Sequence, residues 1–307
     1  MLRRFSRSRT VPISHYKDIF NRPRQEWRAQ KESPALILAA RHGEFLYDAS
    51  AYTPTFGHKR FHYNALALNC VYDCAYCYLQ GMFPSAHIVL FVNIEDYFAA
   101  TEAALAEGPL YLALSYDTDL PALEHIIPYT RRWIEFTRTR PGLTVEIRTK
   151  SASFNRFADI TPTDNAVLAW TLSPASVAAR YEAKTPPPAQ RLRAAAKALE
   201  AGWRVRLCID PVLRVPGWEN AYTALVDEIA EALDAGKLED VSLGVFRINR
   251  DYLKHMKRRA APTDVLYHPY EKRSALATYT AEEHKSMTSL LRSCFARHIP
   301  ADRIHIV

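Results

Sequence analysis

A chain of 307 residues, 48% apolar and 24% charged, is long enough to bury a large core and unlike a disordered polypeptide. No stretch reaches the roughly 20 uninterrupted apolar residues that span a bilayer, and the basic start Met1 to Thr10 lacks the apolar segment of a secretory signal, so a cytoplasmic protein without a membrane partner is expected. The net charge of +7 suits a polyanionic partner, or else reflects a basic tail and a solvated face.

In chain order, residues 1–60 read as a basic tail and an irregular N-terminal extension rich in Arg, Tyr and Pro. Residues 61–307 form the main unit. Apolar runs of strand length fall at Phe61–Leu68, His87–Val92, Leu110–Leu114, Val145–Ile147, Val167–Trp170, Val205–Ile209, Val241–Phe246 and Ile304–Val307. Amphipathic helices are expected over Ile94–Leu105, Pro121–Phe136, Ala189–Leu199, Tyr222–Leu233 and Ala281–Phe295. The prolines at 186–188 read as a turn into a helix. Alternating strands and helices predict an α/β chain of βα units with parallel strands, either a closed or partial barrel or an open sheet. Such folds carry their chemistry in the loops at the carboxyl ends of the strands.

Five cysteines, three of them within the eight residues Cys70–Cys77, fit a metal site in a reducing compartment better than a disulfide framework. The spacing Cys70-x3-Cys74-x2-Cys77 follows directly on the first barrel-type strand. Thiolates at such spacing can wrap an iron–sulfur cluster in one loop, and three of them leave one iron of a four-iron cubane open to a small molecule. Two plainer readings compete. The positions follow i, i+4, i+7 and could form one apolar helix face. Alternatively, a zinc ion could be completed by a histidine, Cys208 or Cys294.

The motif resembles the signature of the radical S-adenosylmethionine superfamily. A wider set narrows the likeness: Tyr76 to Gln80, Glu182-x-Lys184-Thr185-Pro186, Arg191, Gly202, Asp210-Pro211 and Gly217-Trp218-Glu219 are similar to the spore photoproduct lyase family, from about residue 60 to the C-terminus. The resemblance implies a partial (β/α)6 TIM-type barrel, a four-iron, four-sulfur cluster held by Cys70, Cys74 and Cys77, and S-adenosylmethionine as cofactor. It further implies a 5′-deoxyadenosyl radical, a lyase-like reaction on a DNA photolesion, and an external electron donor such as flavodoxin or ferredoxin. By motif, Tyr78, Thr118, Lys150 and Thr171 would lie at the cofactor. Thr118 and Thr171 also suit turns or helix caps, Lys150 a surface charge, and Tyr76 and Tyr78 packing.

One departure stands out. Where characterised members carry a cysteine that returns a hydrogen atom to the product radical, this chain has Tyr116. Three expectations follow: Tyr116 donates the hydrogen, with Tyr76 or Tyr78 as a relay; Cys208 substitutes for the missing cysteine, or is a core thiol; or the radical acts on a substrate other than nucleic acid. A non-catalytic, metal-containing nucleic-acid-binding protein is the alternative from another class. Arg247, Arg250, Lys254, Lys257, Arg258 and Arg259 with Tyr252, and the stretch Tyr267–Arg273, suit single-stranded or damaged duplex DNA, or form a solvated face.

Overall fold

The computed structural model describes residues 5–49, 53–259 and 262–307. Residues 1–4 of the basic start therefore lie outside the described residues. The N-terminal part contributes two short helices, α1 (Lys17–Phe20) and α2 (Trp27–Glu32), and two short strands, β1 (Leu36–Ala39) and β2 (Tyr47–Asp48). Phe20 and Trp27 are buried and anchor this segment in the main core.

The apolar run at Phe61–Leu68, expected as one strand, is divided into β3 (Phe61–Tyr63) and β4 (Ala67–Leu68). The cause is Asn64, fully buried, whose Oδ1 accepts the backbone N–H of Ser115 at 2.7 Å. After β5 (Asp73–Cys74), α3 (Leu79–Met82) and β6 (Ile88–Phe91) come α4 (Ile94–Leu105) and β7 (Leu110–Ala113). Strand β6 does not join the barrel; it lies between β1 and β4 in a separate sheet. The helix expected over Pro121–Phe136 is a 3-10 turn, Pro121–Leu123, followed by α5 (Tyr129–Arg138). Pro128 precedes α5 and cannot continue the hydrogen-bond ladder of a helix running through it.

The remaining elements are β8 (Leu143–Thr149), β9 (Ala166–Thr171), α6 (Ala175–Tyr181), β10 (Glu182–Ala183), α7 (Pro188–Glu200), β11 (Arg204–Val212), α8 (Trp218–Ala232) and β12 (Asp240–Val245). Pro188 opens α7, where its fixed φ fits and its missing N–H costs nothing. A small antiparallel sheet of β13 (Arg247–Asn249), β14 (Glu271–Arg273) and β15 (Leu276–Thr278) surrounds α9 (Arg250–Arg259) and α10 (Asp264–Tyr267) in sequence. Last come α11 (Ala281–Phe295), which begins with a Thr280/Glu283 capping box, and β16 (Ile304–Ile306).

The principal sheet runs β16-β12-β11-β9-β8-β7-β3-β2; all its pairs are parallel except the antiparallel edge pair β2–β3. It curls into a partial TIM-type barrel. Alternate residues of β8 divide the two faces. Leu143, Val145 and Ile147 join the apolar core, where Trp133, Trp170 and Leu207 are buried to within 1% exposure. Each such side chain contributes roughly 1.5–3 kcal/mol. Glu146 belongs to the opposite set and meets a buried polar network: it accepts the Tyr111 hydroxyl at 2.8 Å and pairs with Arg206, which also donates to Asp240 Oδ2 at 2.7 Å. Among the described residues no helix is long and apolar enough to cross a membrane.

A cysteine-lined candidate active site

The loop after β4 is set by Asn69. Its φ of 67° lies in the left-handed region that asparagine tolerates better than most residues, and its Nδ2 donates to Ser85 O and His87 O, each at 2.7 Å. Cys70 follows, its Sγ accepting the Tyr72 N–H at 3.5 Å. Cys74 lies on β5, paired with Glu182 of β10. Cys77 closes a turn, its N–H donating to Cys74 O at 3.0 Å, just before α3. The three cysteines are therefore not on one helix, and the apolar-stripe reading is excluded. All three are free thiols and line one cavity of about 430 Å³, within the range of small-molecule sites.

Burial pushes the Cys70 thiol up to about 12 and raises those of Cys74 and Cys77. Two cations oppose it. Lys31, 8% exposed, donates Nζ to Cys70 O at 2.6 Å and acts on Cys70 and Cys77, while Lys150 acts on Cys74 and Cys77. Metal binding must displace the thiol protons, and nearby positive charge favours the thiolates. Among the described residues no three His, Cys, Asp or Glu side chains converge so that one ion could be held. A single zinc would bring its sulfurs to about 3.8 Å of one another at Zn–S distances near 2.3 Å. In a cubane each thiolate binds a different iron, so a cluster does not require the three sulfurs to meet at one ion. Cys294 lies apart on α11, 3.9 Å from Thr223 Oγ1, and neither it nor Cys208 lines the cavity.

The loop after β7 carries Tyr116, Asp117, Thr118 and Asp119. Buried Asp119 accepts from Ala122 N (3.1 Å), Thr149 Oγ1 (2.7 Å) and Lys150 N (2.6 Å), locking this loop to the end of β8. Thr118 and Lys150 both line the cavity. Thr118 Oγ1 is buried without a hydrogen-bond partner, an arrangement that costs about 1–3 kcal/mol unless a bound molecule completes it. Thr171, at the end of β9, is also in the wall, its carbonyl receiving Arg191 Nη1 at 3.4 Å.

Tyr76 and Tyr78 diverge. The Tyr76 hydroxyl donates to Glu182, and Lys150 Nζ sits 5.5 Å from the Tyr76 ring. The Tyr78 hydroxyl donates to Tyr116 O (2.9 Å) and lies 3.3 Å from Asp117 Oδ1. Burial lifts the Asp117 carboxyl to about 6 against the opposing Tyr78 hydrogen bond and Arg41. Glu182 also accepts from Ser173 Oγ at 2.8 Å and pairs with Arg191 Nη2 at 2.6 Å, both partners fully buried. That contact is an ion pair without an aligned hydrogen bond, since Arg191 Nη2 donates to Thr185 Oγ1 at 2.7 Å. Burial alone would raise the Glu182 carboxyl, but Lys150 and Arg191 outweigh it and hold it below the usual range.

Sequence reasoning named Arg247 only within a basic DNA-facing group and Asp210 only within the family motif, and it missed Glu146 and Arg148. Glu146, Arg148, Asp210 and Arg247 line the cavity with Tyr116. Arg247 grips Asp210 at 3.1 and 3.4 Å, and Arg148 Nε lies 3.0 Å from Glu146 Oε1. A Cβ on Gly244 would come within 2.7 Å of Asp210 Oδ1 and 2.8 Å of Arg247 Nη1, so glycine makes room for this pair. The period-2 charges of β8, Glu146 and Arg148 within an otherwise apolar strand, were the available signal.

Helix α9 rests directly on α3: a Cβ on Gly81 would overlap Tyr252 O at 2.3 Å. Tyr252 reaches the cavity, and Lys254, Lys257 and Arg258 face outward. Arg259 turns inward, donating to Gln80 O (3.1 Å) and Phe83 O (2.6 Å). Tyr267, 54% exposed, lies beside this helix with Lys257 Nζ 5.0 Å from its ring.

Comparison with known proteins gives one family: a model described as Spore photoproduct lyase matches residues 61–304. A spore photoproduct lyase of Geobacillus sp. (strain Y412MC61) is 24% identical over 254 residues, covering 78% of this chain and 74% of the relative. A solved spore photoproduct lyase complexed with dinucleoside spore photoproduct superposes with a TM-score of 0.77 at 22% identity, over 93% of this chain and 87% of that one. A variant with bound AdoMet and the same dinucleoside gives 0.77 at 20% identity, over 98% and 87%.

Proposed function

Because the chain belongs to the spore photoproduct lyase family of radical S-adenosylmethionine enzymes, we propose that it binds a four-iron, four-sulfur cluster and S-adenosylmethionine in the cysteine-lined cavity and reverses a thymine-type photolesion in DNA. The observation that carries this reading is the convergence on one cavity of three free thiols and the orphaned Thr118 hydroxyl. Cys70, Cys74 and Cys77 hold the cluster. Thr118, Lys150, Thr171 and Tyr78 hold the cofactor, with Asp119 fixing the Lys150 backbone. When bound, cluster and cofactor supply a 5′-deoxyadenosyl radical that takes a hydrogen atom from the substrate.

Tyr116 lies in the cavity wall and is the hydrogen donor to the product radical. Cys208 is fully buried, its thiol raised to about 12 by burial, and it does not line the cavity. Tyr76, tied to Glu182, acts as a positioning residue for the Lys150 side of the site. The enclosing walls keep water from competing as a reactant.

Anaerobic reconstitution with iron and sulfide, followed by S-adenosylmethionine and dinucleoside spore photoproduct, tests the reading. A brown four-iron protein should return the undamaged dinucleoside and form 5′-deoxyadenosine carrying deuterium from labelled lesion. Zinc uptake without cleavage would sink it; cleavage with untouched lesion would move the substrate outside photolesion DNA.

The exposed face of α9 leads from Tyr252 at the cavity to Lys254, Lys257 and Arg258, a path suited to the phosphates flanking a lesion. Each phosphate contact contributes about 0.7–0.9 to the slope of log affinity against log salt. Lys257→Ala with Arg258→Ala should therefore flatten that slope by about 1.4–1.8, measured by fluorescence anisotropy on a damaged oligonucleotide. An unchanged slope would return α9 to a solvated face.

A further inference from the structure

Three tyrosine rings lead from the cavity to the edge of the principal sheet. Tyr116 lines the cavity; the Tyr63 ring centroid lies 5.6 Å from it, and that of Tyr47 lies 5.3 Å beyond. Tyr47 and Tyr63 are cross-strand partners in the β2–β3 ladder, so the backbone fixes the second spacing. Strand β2 is the terminal strand of the sheet, and the side chain of its Asp48 is 92% exposed.

Packing alone does not call for this composition. Aromatic pairs at 4.5–7 Å contribute about 0.5–1.5 kcal/mol beyond buried area, and phenylalanine would serve equally, as Phe61 and Phe56 do against Tyr111. Tyrosine alone among these adds a phenol that gives up one electron and one proton. Burial raises all three phenols; the guanidinium of Arg148 opposes it at Tyr116, and at Tyr47 that of Arg41, which donates to the hydroxyl, whose own O–H donates to Glu44 O at 3.0 Å. Loss of the phenolic proton is least costly where water and a cation are at hand. Tyr76 and Tyr78 lie off this line, their hydroxyls donating to Glu182 and to Tyr116 O.

We propose that Tyr116, Tyr63 and Tyr47 form a hole-transfer chain that resets the hydrogen donor from the protein surface. This rests on the reading of Tyr116 as donor. The substrate carbon radical takes a hydrogen atom from Tyr116, forming a C–H bond and leaving a phenoxyl radical. Tyr116 regains an electron and a proton as Tyr63 loses them, and Tyr63 regains them as Tyr47 loses them in turn. The phenoxyl at Tyr47 is then quenched by one electron from an external one-electron reductant of the flavin or iron–sulfur class and one proton from water. One electron and one proton thus enter per event, and the hydrogen carried by 5′-deoxyadenosine is not returned, so the cofactor is consumed rather than regenerated.

The test is freeze-quench electron paramagnetic resonance of the reconstituted protein turning over dinucleoside spore photoproduct, with ring-deuterated tyrosine to identify phenoxyl signals. Tyr63→Phe preserves the ring stack and should lengthen the lifetime of the Tyr116 signal at least tenfold and make it insensitive to reductant concentration. A signal decaying at the wild-type rate in Tyr63→Phe overturns the chain while leaving the donor assignment intact. A phenoxyl signal that persists in Tyr116→Phe, or product formed in Tyr63→Phe with no phenoxyl signal, overturns the donor reading and the chain together.

Discussion

Cys74→Ala, made in the full chain, should fold and yet lose the cluster. Cys74 is 7% exposed, its backbone pairs with Glu182 in the β5–β10 ladder, and its carbonyl accepts Gln80 Nε2 at 2.7 Å. Alanine keeps all of these backbone bonds and removes only the sulfur. Altering an outer-sphere partner of a metal site typically costs about 10–100-fold in affinity or activity; removing a direct ligand should exceed that, so 5′-deoxyadenosine formation should fall by more than about 100-fold. Iron and sulfide analysis beside the circular-dichroism spectrum checks it. Cys208→Ala and Cys294→Ala are the controls, because neither thiol lines the cavity. Full iron content in Cys74→Ala, or equal iron loss in all three variants, would break the assignment of Cys70, Cys74 and Cys77 as the ligand set.

Why the cysteines were legible while other parts of the site were not is a matter of range. A cluster loop is local: Cys70 to Cys77 is eight residues, and spacing alone carries the donor pattern. Parallel strands buried on both faces write themselves as apolar runs, which is why β7, β9, β11 and β12 fall where the runs lie. Periodicity does not name a strand's partner. The division of Phe61–Leu68 into β3 and β4 depends on Asn64 meeting the N–H of Ser115, 51 residues on. Likewise β6 reads like any barrel strand but pairs with β1 and β4.

The pairing within the charged wall was lost for the same reason. Glu146 of the wall and its partner Arg206 sit inside apolar runs, with Arg148 and Asp210 just past the ends of theirs, where a lone charge reads as an edge or an exposure. Their partners come from other strands: Asp240 for Arg206 and Arg247 for Asp210, 34 and 37 residues away. Strand pairing sets Arg206 directly beside Asp240, and the ion pairing is then required because unpaired buried charges are costly. Thr118, Lys150 and Thr171 were reached through the family resemblance; the structure adds that Asp119 ties the Thr118 loop to Thr149 and Lys150.

Glu182→Ala should be strongly destabilising. Glu182 and Arg191 are each 0% exposed along their side chains, and truncating the carboxylate leaves the guanidinium buried with only neutral oxygen partners, Pro186 O, Thr171 O and Thr185 Oγ1. Breaking a buried pair in this way costs about 3–5 kcal/mol, and the hydroxyls of Tyr76 and Ser173 lose their acceptor as well. For a chain of this size the melting temperature should fall by roughly 5–8 °C. Arg191→Met should cost less, since Lys150 still acts on the stranded carboxylate and Tyr76 and Ser173 still donate to it. The double variant should recover part of the loss, giving a coupling within about 0.5–3 kcal/mol. Glu182 pairs with Cys74 in the β5–β10 ladder, so Glu182→Ala should also release iron at a lower temperature than wild type. Thermal melts of the four proteins without iron settle the first point; additive losses in the double variant would show that the pair does not act as a unit.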